Sequence, residues 1–290
     1  MPLSASAKLT PLLALPEGTK SHRHIELVVD RSGSMKSFGN STAPTLNEFI
    51  SAQKLQEEQE IQELKTVIQN LPEGDEKNTK LTELDILEHH TVSTINFITF
   101  DTMVEQPWCS SEQSVLRRIT EAEVKPEDVK PRGMTALVDA MYNACNNISE
   151  MEKKNKTCDF KGIVVTMTDG LENKSETSHA TLTKKIKKLT DTGITFMFLA
   201  ANQDAIAEAA KMGISKDNAL NVGTTQENYG NAMRAVSGNI ARTRTGDNAG
   251  FSGLERAASS TLRSVERSQT ESEAGHTLKR SPPAGLLRRQ

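Results

Sequence analysis

At 290 residues the chain is long enough for one large domain or two small ones, and its formal net charge of −3 excludes a global electrostatic pull toward nucleic acid or an anionic membrane. Aromatic residues make up only 4%, with Trp108 the single tryptophan, so a core has to rest on Ile, Val, Leu, Met and Phe. The three cysteines, Cys109, Cys145 and Cys158, have neither metal-ligand nor C-x-x-C spacing, which argues against a disulfide framework and for a reducing compartment.

Residues 1–22 read as an N-terminal tail. They carry no basic n-region followed by a signal core, and no run in the chain approaches the roughly 18 apolar residues of a membrane helix. A cytoplasmic location with no membrane span is therefore expected. His22 and His24 precede the first apolar run and are expected at the surface. That run, Ile25 to Val29, reads as a buried strand and ends in Asp30-Arg31-Ser32-Gly33-Ser34, a turn with a carboxylate and two hydroxyls at alternate positions. Arg31 is expected to point away from these groups, free to meet a partner.

A helix follows from near Thr45, with Leu46, Phe49 and Ile50 at helical spacing. Ile61, Leu64, Val67, Ile68 and Leu71 continue the stripe, Leu71-Pro72-Glu73-Gly74-Asp75 breaks it, and Leu81, Leu84 and Leu87 start a second one. Residues 54–90 thus read as an αα-hairpin insertion. It holds ten acidic residues against four lysines, which suits either a solvated face or a second partner surface. Val92 to Phe100 is the next strand, and Met103 to Gln106 is a short edge strand. Ser111 to Ile119 reads as a short helix.

Gly133-Met134-Thr135 then opens a helix whose buried face carries Ala136, Leu137, Ala140, Met141, Ala144, Ile148 and Met151. Asp139, one turn after Thr135, is expected to cap or be solvated. Ile163 to Met167 is a buried strand ending in Thr168-Asp169-Gly170. Further on come a helix burying Leu182, Ile186 and Leu189, a strand from Ile194 to Ala200, a helix from Gln203 to Met212 and an edge strand from Ala219 to Val222. A last helix, Gln226 to Ile240, carries Tyr229, Ala232, Met233, Val236 and Ile240 on one face. Residues 241–290 shift to Ser, Thr, Gly and Arg and read as a basic, largely disordered tail, with Leu254, Ala258, Leu262 and Val265 as one amphipathic helix.

Strands and helices alternate, which implies a three-layer, doubly wound, mostly parallel α/β sheet with one antiparallel edge strand. Asp30 and Asp169 both end strands, where such sheets bind ligands.

The three pieces, D-x-S-x-S at Asp30, Ser32 and Ser34, then Thr135, then Asp169, resemble the metal-ion-dependent adhesion site of von Willebrand factor A domains. The resemblance spans residues 23–240 and implies a Rossmann-like fold. It implies that Asp30, Ser32, Ser34, Thr135 and Asp169 hold Mg²⁺ or Mn²⁺, a hard cation that takes oxygen ligands. It further implies a non-enzymatic module whose metal captures an exposed Asp or Glu of a partner protein. The alternative is an accessory subunit of an AAA+ ATPase or another intracellular assembly, docking through residues 54–90 or the C-terminal tail. A phosphohydrolase reading is disfavoured because Ser32 stands where haloacid-dehalogenase-type enzymes place a second Asp.

Overall fold

A computed structural model describes residues 15–108, 117–202, 204–247 and 249–260. Seven strands form one sheet: β1 (Ser21–Asp30), β2 (Thr91–Phe100), β3 (Val104–Glu105), β4 (Arg117–Arg118), β5 (Asp159–Thr168), β6 (Thr195–Ala201) and β7 (Ala219–Val222). Their order is β3-β2-β1-β5-β6-β7, with β4 also on β2. β2, β1, β5, β6 and β7 pair in parallel. β1 and β5 lie side by side although β2, β3 and β4 come between them in the chain, so the topology reverses between them and their carboxyl ends frame the crevice.

The outer edge of β2 is closed by two short antiparallel pieces rather than one. β3 pairs with Thr99 and Phe100, and β4 pairs with Thr94 and Ile95. Arg117 and Arg118 are therefore strand where a helix from Ser111 to Ile119 was expected; residues 111–116 lie outside the described residues.

Alternation along the strands sorts the core into two layers. Ile25, Leu27 and Val29 of β1 face one layer with Ile95, Phe97, Ile163 and Val165. Against it pack α1 (Thr42–Asn70) and α6 (Gln226–Arg244), through Leu46, Phe49, Ile50, Tyr229, Met233 and Val236. Val28, Ile98, Phe100, Val164 and Phe198 face the other layer, covered by α3 (Leu137–Lys154), α4 (His179–Thr190) and α5 (Ala205–Lys211). The doubly wound α/β fold is the one expected.

The helical hairpin is present. α1 runs 29 residues, but beyond Gln53 only Ile68 is buried; α2 (Asp75–His89) returns along it with no buried residue. The core-facing half of α1 ends where its buried face ends, and the remainder projects beyond the sheet.

Three expectations need correction. β1 starts at Ser21, not Ile25, and His22 and His24 are each 1% exposed rather than at the surface. They are buried because their polar atoms are satisfied in the sheet: His22 Nε2 and His24 Nδ1 each lie 2.8 Å from Thr94 Oγ1, and His24 Nε2 lies 3.0 Å from Glu26 Oε1. The chain also stays ordered beyond Ile240. α6 continues to Arg244 and α7 (Gly253–Ser260) packs back on α6 and β7, with Phe251 buried beside it. The face of α7 is not the expected one, since Leu254 is 85% exposed and Ser259 is buried. Leu262, Val265 and the rest of the C-terminal segment lie outside the described residues, as do residues 1–14. No helix of the described residues is long and apolar enough to cross a membrane.

Candidate metal centre

Asp30 is the last residue of β1 and is completely buried. A carboxylate there needs donors, and it has two: the Ser32 N–H donates to Oδ1 at 2.6 Å and the Thr168 hydroxyl to Oδ2 at 2.6 Å. Ser32, also buried, places its Oγ 2.9 Å from Ser34 Oγ, and Ser34 in turn donates to Asp169 Oδ1 at 2.6 Å. β1 and the turn after it thus carry three of the five groups, and the end of β5 carries the fourth.

Thr135 arrives from a separate loop. Its backbone exchanges two hydrogen bonds with Asn173: Thr135 N–H to Asn173 Oδ1 at 3.0 Å, and Asn173 N–H to Thr135 O at 3.1 Å. Just behind it, Glu172 accepts from the Val138 N–H at 2.8 Å and so caps the start of α3, which has no cap of its own. Asp139 accepts from the Glu176 and Thr177 N–H groups at 2.9 Å each, so it ties the loop after β5 to the first turn of α3 rather than capping a helix or facing solvent.

The three hydroxyls converge on a single point, and Gly170 marks it. A Cβ built on Gly170 would lie 2.7 Å from Thr135 Oγ1, 3.3 Å from Ser34 Oγ and 3.4 Å from Ser32 Oγ. The turn after β5 thus leaves open a small space that three neutral oxygens line and two carboxylates back. Burial pushes the Asp30 carboxyl up to about 6, against the lowering effect of its Thr168 and Ser32 hydrogen bonds, and Asp169 adds a small like-charge push. Burial also raises Asp169, although the Ser34 and Ser37 hydroxyls oppose the shift. Two desolvated acids behind a set of neutral oxygens suit a hard divalent cation, which would offset the burial that raises them. Among the described residues no three His, Cys, Asp or Glu side chains cluster as metal ligands, so a metal here relies on hydroxyl oxygens.

All five predicted site residues come together at the carboxyl ends of β1 and β5. Arg31 turns away from the hydroxyls, as expected, but inward rather than toward a partner. It is 4% exposed, and its Nε donates to Asp101 Oδ2 at 2.9 Å. The sequence reading missed Thr168, Asn173, Glu172 and Asp101. Thr168 stood in the Thr168-Asp169-Gly170 turn without a role, and Asp101 left a trace as a carboxylate directly after a buried strand, the position that also marks Asp30 and Asp169.

No protein-family model matches the chain, and neither does any curated protein sequence. Among solved structures it is similar to proximal thread matrix protein 1 from the mussel byssus with a zinc-occupied MIDAS motif, at 15% identity over 77% of this chain and 46% of that one, TM-score 0.47. It is also similar to a von Willebrand factor type A protein from Catenulispora acidiphila, at 13% identity over 75% of this chain and 43% of that one, TM-score 0.41. A third is the SpRpn10 VWA domain, at 12% identity over 70% of this chain and 88% of that one, TM-score 0.39. The chain spans less than half the length of the first two. At such identities the likeness is one of fold, and the site stands on its own residues.

Proposed function

We propose that the protein is a non-enzymatic, metal-dependent protein-binding module. Mg²⁺ or Mn²⁺ is held by the hydroxyls of Ser32, Ser34 and Thr135, with Asp30 and Asp169 behind them, and it captures the carboxylate of an exposed Asp or Glu on a partner. The observation that carries this reading is the convergence of three hydroxyl oxygens on the space beside Gly170. When bound, the cation supplies a Lewis-acidic position for an anionic oxygen. Asp30 and Asp169 already accept hydrogen bonds from Thr168 and Ser34, which suits orienting a shell of oxygens rather than attacking a substrate. The mussel protein with a zinc-occupied MIDAS supports the choice of a divalent ion.

The surroundings support a protein ligand. Met103, Met134 and Leu171 are 59%, 47% and 61% exposed, and they sit on the loops beside Asp101, Thr135 and Gly170. A carboxylate carried by an apolar segment would satisfy both the metal and this rim. The proposal includes a reducing, cytoplasmic setting, in keeping with Cys145 and Cys158 as free thiols. An accessory role in a larger intracellular assembly is the second reading. It is favoured by the hairpin, whose α2 buries no residue and so has a face to offer a second partner.

Calorimetric titration of Mn²⁺ and Mg²⁺ tests the site. The wild type should bind and Asp169→Ala or Thr135→Ala should lose at least about 10-fold in affinity while keeping their circular dichroism spectra. Unchanged affinity in both variants would overturn the assignment. Pull-down from the source cell with and without EDTA separates the readings, because hairpin-mediated docking survives the chelator.

A further inference from the structure

Thr135 reaches the site on residues 130–136, a stretch without regular secondary structure. Such a segment holds a side chain in place only through the bonds made by its backbone. Besides the two bonds between Thr135 and Asn173, four hold the segment: Arg132 N–H to Arg31 O at 2.7 Å, Gly33 N–H to Gly133 O at 3.3 Å, Met134 N–H to Thr102 Oγ1 at 3.0 Å and Ala136 N–H to Asp101 O at 2.8 Å.

The same residues are joined by charge. Asp101 Oδ2 accepts from Arg31 Nε at 2.9 Å and from Arg132 Nε at 2.6 Å, while Asp101 Oδ1 accepts the Met103 N–H at 3.0 Å. Arg31 Nη2 lies 2.8 Å from Glu105 Oε2, and Arg132 also pairs with Glu105. Arg31 Nη1 donates to Asp128 O at 3.3 Å, at the start of the approach to the Thr135 loop. The Arg31 and Asp101 side chains are only 5% and 3% exposed, whereas Arg132 is 53% exposed. Beneath the segment, Gly133 (φ +69°) passes so close that a Cβ would lie 2.6 Å from Thr102 Oγ1, so the loop lies directly on the turn after β2.

We propose that Arg31 and Asp101 are positioning residues that clasp the Thr135 loop to the turn carrying Ser32 and Ser34, and so set the distance between the hydroxyls of the two loops. Arg31 is part of the first loop by covalent structure and of the second through its backbone carbonyl and its guanidinium. It faces inward for this purpose, and is not a partner contact. The inference rests on the metal-site reading above. A buried ion network of this kind is no better than apolar packing at adding stability, but its directional bonds define one geometry.

The test is a double-mutant cycle read by Mn²⁺ titration on the full chain. Asp101→Asn, which keeps the shape and removes the charge, is expected to lower affinity about 10-fold, as loss of groups that orient metal ligands does. In a Thr135→Ala background Asp101→Asn is expected to cost nothing further, since the clasp acts through Thr135. Losses that add in the double variant, or wild-type affinity in a folded Asp101→Asn, overturn the proposal. Should Asp101→Asn not fold, Arg132→Gln at the exposed arm takes its place, with an expected loss of about 3-fold and the same non-additivity. If wild type, Asp169→Ala and Thr135→Ala all bind Mn²⁺ alike, it is the metal-site reading that fails. The clasp is then decided by hydrogen exchange without metal: faster exchange of the Met134 and Ala136 amides in the clasp variant supports it, and unchanged exchange overturns it.

Discussion

Gly170 is where residue chemistry and site geometry meet. Its backbone has no need of a left-handed conformation, so alanine is tolerated there by the main chain, but the added methyl would enter the space lined by Thr135, Ser34 and Ser32. Gly170→Ala should therefore abolish Mn²⁺ binding by calorimetry with only a small change in thermal stability; retained affinity would mean that the metal sits elsewhere. Tyr229 gives a complementary prediction on stability. Its ring packs on Phe38 with centroids 5.1 Å apart, and its buried hydroxyl has no hydrogen-bond partner among the described residues. Burial raises the phenol well above its ordinary range. Removing an unpaired buried hydroxyl relieves its desolvation, so Tyr229→Phe should stabilise the protein by about 1 kcal/mol in urea unfolding. A loss of that size would reveal a partner for the hydroxyl.

β1 is an element that the sequence showed only in part. Ile25 to Val29 are legible because they form an apolar run, and Asp30 because a carboxylate after such a run is unusual. The first four residues of the strand read as polar tail, since pattern alone does not show that His22, Thr94, His24 and Glu26 satisfy one another across two parallel strands. Glu26 Oε2 also accepts from Asn96 Nδ2 at 2.9 Å, which extends the row along β2. This burial has a pH signature. Desolvation, helped by the neighbouring His24, holds His22 down at about 3. In the unfolded chain an imidazole titrates near its ordinary value of about 6.5, so the unfolded state takes up the proton first. His22 therefore costs no stability above that value and an increasing amount as pH falls from about 6.5 toward 3. At pH 4.5 the loss should be roughly 2–3 kcal/mol relative to pH 7. Urea unfolding of wild type and His22→Asn at both values tests this: the variant starts less stable, because Thr94 and Asn155 lose a partner, but its stability should fall less on acidification. Equal pH dependence in the two proteins would rule out His22 as the cause.

At the scale of the whole molecule, the core and the site are readable from short-range pattern, whereas the parts that need long-range pairing are not. α7 is an example: its attachment runs through Arg242 to Glu255 at 3.0 and 2.9 Å, and through Arg256 to the carbonyls of Ala219, Lys216 and Asp217, all invisible in a Ser- and Arg-rich stretch. The hairpin is the converse, because its existence is legible and its attachment is not. Its apolar stripe looks self-contained, but its base carries charges that belong to the domain. Arg23 is held by both Glu60 oxygens at 2.7 and 2.8 Å, and the 6% exposed Arg244 has Glu57 at 3.5 Å. Burial pulls Arg244 down to about 10, with Glu57 the larger of the opposing influences. Where the hairpin is cut therefore decides the outcome. Ile61 and Leu87 line the same groove, so a short Gly/Ser linker can replace residues 62–86 and leave Glu57 and Glu60 in place. That variant should fold cooperatively and bind Mn²⁺ as the wild type does, because the insertion joins the sheet at the end opposite Asp30 and α2 buries nothing. Glu88 stays and loses little with Lys65, since both are partly exposed. Replacing residues 55–88 instead removes both carboxylates together with the α1 surface, Gln56 to Glu63, that packs around Arg244, at a cost of roughly 1–3 kcal/mol. Urea unfolding of the two deletions side by side measures the difference. Equal stability would mean that Arg244 finds water or another acceptor once the hairpin base is gone, and that the glutamates at its base are not what ties the insertion to the domain.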